Sequence, residues 1–264
     1  MPSRVAPGKV VLSIEHVAVN FGGLVAISDL NLTVCDGEIV GLIGPNGAGK
    51  TTAFNVFTGF LRPTDGEVRY RGTLLNSLKP HKIAGLGLVR TFQRTSIFQN
   101  NSVFENVLIG LHRQARSTVW DTLLALPREK AAERDLADNA HEILRLVGLE
   151  PRSAELAGAL PYGEQRLLGI ALALAAQPSM LLLDEPVSGM NPTESAKVVK
   201  LVETIRASGV TILLVEHDMP MVMQVSDRIV VLNYGRIIAE GPPAVIQRNP
   251  DVIRAYLGER KKRA

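Results

Sequence analysis

Cysteine is all but absent: Cys35 is the single one in 264 residues. It cannot close a disulfide within the chain, which excludes a stapled secreted scaffold and fits a reducing compartment. On its own it reads as a small buried apolar side chain. Long apolar runs are missing too. The longest, Leu167 to Ala176, ends at Gln177 and Pro178, well short of the ~20 residues of a membrane-spanning helix. No secretory signal is expected at the start, because its short apolar stretch is split by Glu15 and His16 and no small-residue cleavage pattern follows. The expectation is a cytoplasmic chain. Charge of one sign is also scarce: 29 Lys and Arg against 26 Asp and Glu leave +3, with the basic residues dispersed apart from the tail Arg260 to Arg263. Such a tail reads as a solvated terminus, so nucleic acid is not an expected partner. There is no internal repeat or low-complexity tract. At 46% hydrophobic and 21% charged, disordered and collagen-like classes are excluded and one large domain can bury a full core.

What the chain does have is Val, Ile and Leu in short runs. Val10 to Val19 and Leu30 to Ile43 carry them, with turn residues at Asn20, Gly22, Gly23, Asp36 and Gly37, the pattern of strands and hairpin turns. Thr51 to Gly59 reads as a helix closed by glycine, and Asp65-Gly66 with Glu67 to Tyr70 as a turn and an edge strand. Within 111–147, Leu136, Ala140, Ile143, Leu144 and Val147 recur at helical spacing among charged residues, which predicts an amphipathic helical insert. From Gly163 onward an apolar helix face precedes two strands of the buried parallel type, Met180 to Leu183, all apolar, and Val210 to Val215, apolar but for Thr211. The helix Pro192 to Ala207 joins them, and a right-handed crossover is expected. Ile229 to Leu232 then pairs with Arg236 to Ala239 across the turn Asn233-Tyr234-Gly235. The class is α/β, with a strand-rich start.

Gly44-Pro45-Asn46-Gly47-Ala48-Gly49-Lys50-Thr51 satisfies G-x-x-x-x-G-K-S/T, after an apolar strand and before a helix. Glycines there let successive N–H groups turn onto phosphate oxygens, Lys50 supplies charge at the β and γ phosphates, and the Thr51 hydroxyl suits Mg²⁺. Thr52, next in the chain, is assigned to the same phosphate site. This predicts a nucleoside triphosphate site. Met180-Leu181-Leu182-Leu183-Asp184-Glu185 puts two carboxylates at the end of a buried strand, where open α/β sheets bind ligands. Asp184 is assigned to Mg²⁺, and Glu185 to the water that attacks the γ phosphate.

With these motifs in hand, the chain resembles the ATP-binding cassette (ABC) ATPases over nearly its whole length. Gln93 in Arg90-Thr91-Phe92-Gln93 is similar to the family's Q-loop glutamine, which senses Mg²⁺ and the attacking water beside the membrane partner. Leu160-Pro161-Tyr162-Gly163-Glu164-Gln165 stands where the LSGGQ signature belongs, Ser188-Gly189-Met190-Asn191 resembles the D-loop, and His217 the switch histidine. Phe21 stands near the family's adenine-stacking aromatic, and a core phenylalanine is the alternative for it. Tyr162 in place of the first signature glycine resembles the ATPases of branched-chain amino acid importers, and Pro161 replaces the signature serine.

The resemblance implies a P-loop NTPase fold with a mostly parallel core sheet, an N-terminal antiparallel β subdomain and a helical subdomain. It implies one nucleotide-binding domain over 10–259. Its expected parts are 10–90 (β subdomain and phosphate-loop part of the core), 94–160 (helical, with the insert 111–147), 161–240 (rest of the core) and 241–259 (C-terminal helical extension). It further implies ATP and Mg²⁺, catalysis through Lys50, Gln93, Glu185 and His217, and a metal held by Thr51, Gln93 and Asp184. Tyr162, Gly163 and Glu164 would complete the site of a second ATPase subunit, a paralogue or a second copy, in a head-to-tail dimer. VNFGGLVAIS (19–28), EHDM (216–219) and NPDVIRAYLGE (249–259) resemble the larger ATPase of the branched-chain amino acid importer. Transmembrane permeases and, indirectly, a periplasmic solute-binding protein would be its partners at the cytoplasmic face of the inner membrane. Importers of urea or short amides share several of these stretches, and a soluble non-transport ABC ATPase is the further alternative.

Overall fold

Alternation within the strands decides how the layers stack. In a computed structural model, which describes residues 8–91, 97–112 and 127–260, two sheets form. β1 (Val10–Phe21), β2 (Leu24–Cys35), β4 (Asp65–Tyr70) and β5 (Thr73–Leu74) make an antiparallel sheet in the order β2-β1-β4-β5. β3 (Ile39–Ile43), β6 (Leu88–Arg90), β7 (Met180–Asp184), β8 (Thr211–Val215), β9 (Arg228–Asn233) and β10 (Arg236–Gly241) make the other, in the order β10-β9-β3-β8-β7-β6. Its pairings are parallel except β9 with β10.

The parallel strands are buried on both faces. Ile39, Ile43, Leu181, Leu183, Ile212, Leu214, Ile229 and Val231 point into one apolar cluster. Val40, Leu42, Met180, Leu182, Leu213, Val215, Val230 and Leu232 point into another, with the antiparallel sheet and α1 (Lys50–Phe57). Each such side chain contributes about 1.5–3 kcal/mol by leaving water, so neither face can be turned outward. On the first face lie α3 (Val103–His112), α4 (Pro127–Val147), α5 (Tyr162–Ala175), α6 (Pro192–Ala207) and α7 (Met219–Val225). Short α2 (Pro80–Gly85), α8 (Pro243–Ile246) and α9 (Pro250–Arg260) complete the described α-helices.

Within the expected insert, α4 buries Ala140, Leu144 and Val147, while 113–126 lie outside the described residues. Two strand expectations need correction. Asp36-Gly37 is a turn as expected but not a hairpin, because, with Gly37 at φ +72°, it carries the chain from β2 in one sheet to β3 in the other. Asp65 to Tyr70 is not an edge, because β5 pairs with it; two residues are too few for any periodicity to show. Cys35 is half-buried rather than buried, and that burial, with Glu38 beside it, pushes its thiol pKa up.

Register sets up the site. Val215 is level with Leu42 on one side and with Asp184 on the other. The segments after β3, β7 and β8 therefore leave the sheet at one carboxyl edge, the ligand-binding edge of open α/β sheets.

Candidate functional site

After β3 the chain runs through Gly44–Gly49 into α1, and two of these glycines are sterically required. A Cβ on Gly44 would lie 2.0 Å from the Leu232 carbonyl oxygen, and one on Gly49, at φ +106°, 2.8 Å from that of Ala26. The loop is thus wedged between β9 and β2, and the Gly235 N–H, from the turn after β9, donates to the Ala48 carbonyl at 2.9 Å. Asn46 and Gly47 are exposed, Pro45 is buried, Thr51 is exposed and Thr52 half-buried. Lys50 is only 7% exposed, and its Nζ donates to the carbonyls of Gly44 at 2.6 Å and Pro45 at 2.8 Å. No acidic residue occupies the first turn of α1 and no side chain caps it. Its N–H groups and the positive end of its dipole therefore favour an anion.

Asp184, at the end of β7, is 4% exposed, and Arg90 Nη2 donates to its Oδ2 at 2.6 Å. Arg90 also donates to Asn55 Oδ1 on α1 at 2.7 Å and lies over the Phe54 ring. Glu185 follows at φ +49°, in the left-handed region that costs a non-glycine residue about 1–3 kcal/mol. Its N–H donates to the Val215 carbonyl at 2.8 Å, which holds the turn in place. The Glu185 Oε1 stands 3.2 Å from His217 Nε2. Glu185 is the more buried of the two, and His217 is open to solvent.

Of the residues expected from the sequence, Lys50, Asp184, Glu185 and His217 come to the same carboxyl edge, while Gln93 lies outside the described residues. Phe21 ends β1 half-exposed, rather than packed in the core, on the hairpin whose second strand passes Gly49. Tyr162, Gly163 and Glu164 open α5. A Cβ on Gly189 would meet the Tyr162 ring at 3.0 Å, so α5 begins against the loop that follows Glu185. Arg166 donates to the Tyr162 hydroxyl at 2.6 Å, and Glu164 pairs with Arg152 at 2.7 Å. Two residues of the site have no role in the sequence reading. Arg90 is one. Glu216 is the other, 3% exposed, its carboxylate accepting three backbone N–H bonds. Each is a charge next to an apolar strand, which is the one signal the sequence offers.

Among the described residues no three His, Cys, Asp or Glu side chains gather into a metal cluster. Thr51 and Asp184 offer hard oxygen donors on their own, and a divalent ion would take its other ligands from phosphate and water. That donor set suits Mg²⁺, which usually binds through one or two carboxylates plus substrate phosphates.

A family model described as ABC transporter matches residues 27–188, and one described as branched-chain amino acid ATP-binding cassette transporter matches 236–262. The chain is 45% identical over 250 residues to the high-affinity branched-chain amino acid transport ATP-binding protein LivG of Escherichia coli, covering 94% of this chain and 98% of LivG. It is 34% identical over 252 residues to the lipopolysaccharide export system ATP-binding protein LptB of Haemophilus influenzae, covering 96% and 99%. A solved ATP-binding cassette of an ABC transporter, in its ADP conformation, is similar at a TM-score of 0.82 and 30% identity, covering 94% of this chain and 99% of that one.

Proposed function

The chain belongs to the ABC transporter family, and from that premise we propose that it is the ATP-hydrolysing subunit of an importer of branched-chain amino acids. The observation that carries the cargo is the match at 236–262, which runs from β10 through the C-terminal helices and takes in neither the phosphate loop nor Glu185 and His217. The identity to LivG over nearly the whole of both chains supports it, against the lower identity to LptB.

In this reading the loop Gly44 to Thr52 cradles the phosphates, with every residue but Pro45 offering an N–H, and Lys50 exchanges the Gly44 and Pro45 carbonyls for the β and γ phosphate oxygens. Phe21 stacks on the adenine. Thr51, Asp184 and Gln93 hold Mg²⁺, which when bound neutralises charge on the β and γ phosphates. Glu185 accepts the proton of the attacking water, and His217, beside it, donates to the γ phosphate as charge spreads onto its oxygens. Tyr162, Gly163 and Glu164 of one subunit close over the nucleotide of the other. The expected division of 10–259 into a β part, a helical part at 94–160, the remaining core and a C-terminal extension is part of the proposal.

No described helix is long and apolar enough to cross a membrane, and transmembrane permease subunits are the partners through which ATP hydrolysis is coupled to transport in this reading. A groove lined by exposed Phe60, Leu86, Phe98 and Ile109 suits a permease loop. Of the two phenylalanines just past Gln93, Phe98 lines this groove, while Phe104 packs against the helical core and His141. A peripheral position on the cytoplasmic face of the inner membrane follows from that docking.

The test is an affinity pull-down of Glu185→Gln protein from detergent-solubilised membranes with ATP, alongside an ATPase assay. Loss of turnover by about 10²-fold or more with ATP binding retained is expected for removal of a general base. Permeases and a paralogous ATPase should co-purify. Recovery of no membrane protein would overturn the importer assignment, and unchanged turnover would remove Glu185 from the mechanism.

A further inference from the structure

We propose that Glu216 is a positioning residue for hydrolysis, a buried carboxylate that fixes His217 and Glu185 in mutual register. The inference rests on the reading that those two side chains act on the γ phosphate.

Val215, the last residue of β8, is in register with Asp184 and accepts the Glu185 N–H at 2.8 Å. The next residue, Glu216, turns inward. Its Oε1 accepts the Val187 N–H at 2.9 Å, two residues beyond Glu185. Its Oε2 accepts the N–H groups of His217 at 2.6 Å and Asp218 at 3.0 Å. Asp218 in turn caps α7, accepting the Met221 N–H at 2.9 Å. One carboxylate thus ties the segment carrying Glu185 to the segment carrying His217, and the two side chains meet at 3.2 Å. Both oxygens are needed because the N–H groups come from two different loops.

The chemistry of the tether predicts which substitutes fail. A glutamine keeps the shape but offers a single acceptor oxygen, and its NH₂ would confront a backbone N–H. An aspartate keeps the charge but is one methylene shorter, so it can serve one loop and not both. In either case His217 loses its fixed place beside Glu185. Hydrolysis slows, while the phosphate loop, on a neighbouring strand, goes on binding nucleotide.

The experiment uses the full chain as unsubstituted protein, Glu216→Gln, Glu216→Asp, His217→Ala and the double variant Glu216→Gln/His217→Ala. Turnover is normalised to nucleotide-binding sites, and affinity is read with a fluorescent ATP analogue. Glu216→Gln and Glu216→Asp should each lower kcat on the order of 10- to 100-fold, as misplacement of a reacting group does, with affinity for the analogue changed less than about twofold. Because Glu216 acts through His217, the glutamine should add little in the His217→Ala background. Full additivity there, unchanged turnover in the single glutamine variant, or loss of nucleotide binding in step with kcat would overturn the proposal. So would failure of both Glu216 variants to fold, which would make the residue structural only. Unchanged turnover in His217→Ala alone would instead overturn the reading beneath it.

Discussion

Arg90 and Asp184 form a salt bridge in which the side chains are 8% and 4% exposed. A pair so dry is costly to break from one side, because the surviving charge has no water to turn to. Arg90 carries more than that bond, since the same guanidinium reaches Asn55 on α1 and stacks on Phe54. Arg90→Met should therefore lower unfolding free energy by about 3–5 kcal/mol. Arg90→Met/Asp184→Asn should recover much of it, because no charge is then stranded. Urea melts of the three proteins check this, and a single-variant loss below about 1 kcal/mol would place the pair among weak surface bridges. Arg90→Lys should not restore the parent stability, because an ammonium lacks the planar fork that serves Asn55 and Asp184 together.

Among the elements, α6 shows how local chemistry fixes a helix start beside the site. Asn191 accepts the Glu194 N–H at 3.0 Å, Glu194 accepts the Asn191 N–H at 2.9 Å, and Pro192 takes the first helical position. Asn191→Ala should cost about 1 kcal/mol, read as a lower midpoint in denaturant with the slope unchanged. This helix was legible in the sequence to the residue, because its cap and its apolar face agree. The strands β7 and β8 were legible for a related reason: an apolar run that short between helical stretches fits little but a buried parallel strand. The break between β2 and β3 was legible as the turn Asp36-Gly37, but their going to different sheets was not, since both runs are apolar and only the pairing partner differs. The phosphate loop was readable because its motif is local in sequence, with Gly44 and Gly49 placed where a Cβ would meet backbone. Arg90 and Glu216 were not, because what they do depends on groups 94 and 29 residues away in the chain, a proximity that only the sheet creates.

At the scale of the whole molecule, one chain supplies a phosphate loop and a signature helix that serve different nucleotides in the proposed dimer, so the quality of α5's start governs closure. Pro161 is its N-cap, with no side-chain hydrogen bond to any first-turn N–H. Proline offers neither a hydroxyl nor an N–H there, and Tyr162 beside it is held by Arg166 rather than free to reach a phosphate. Pro161→Ser would add a cap within the chain and a donor across the seam, two effects that separate cleanly. The cap alone should raise monomer stability by about 0.5–2 kcal/mol. The donor should tighten ATP-dependent dimerisation in the Glu185→Gln background by about tenfold, as a hydrogen bond to a charged group contributes roughly 1.5–3 kcal/mol less the cost of ordering the serine. Sedimentation with and without ATP gives the second quantity, and a melt without nucleotide gives the first. A stabilised monomer with an unchanged dimer constant would mean that the residue at 161 faces its own helix and not the partner's nucleotide. The seam would then have to be closed by Gly163 and the helix dipole alone, and hydrolysis in this chain would depend on the partner's geometry rather than on a lost hydroxyl.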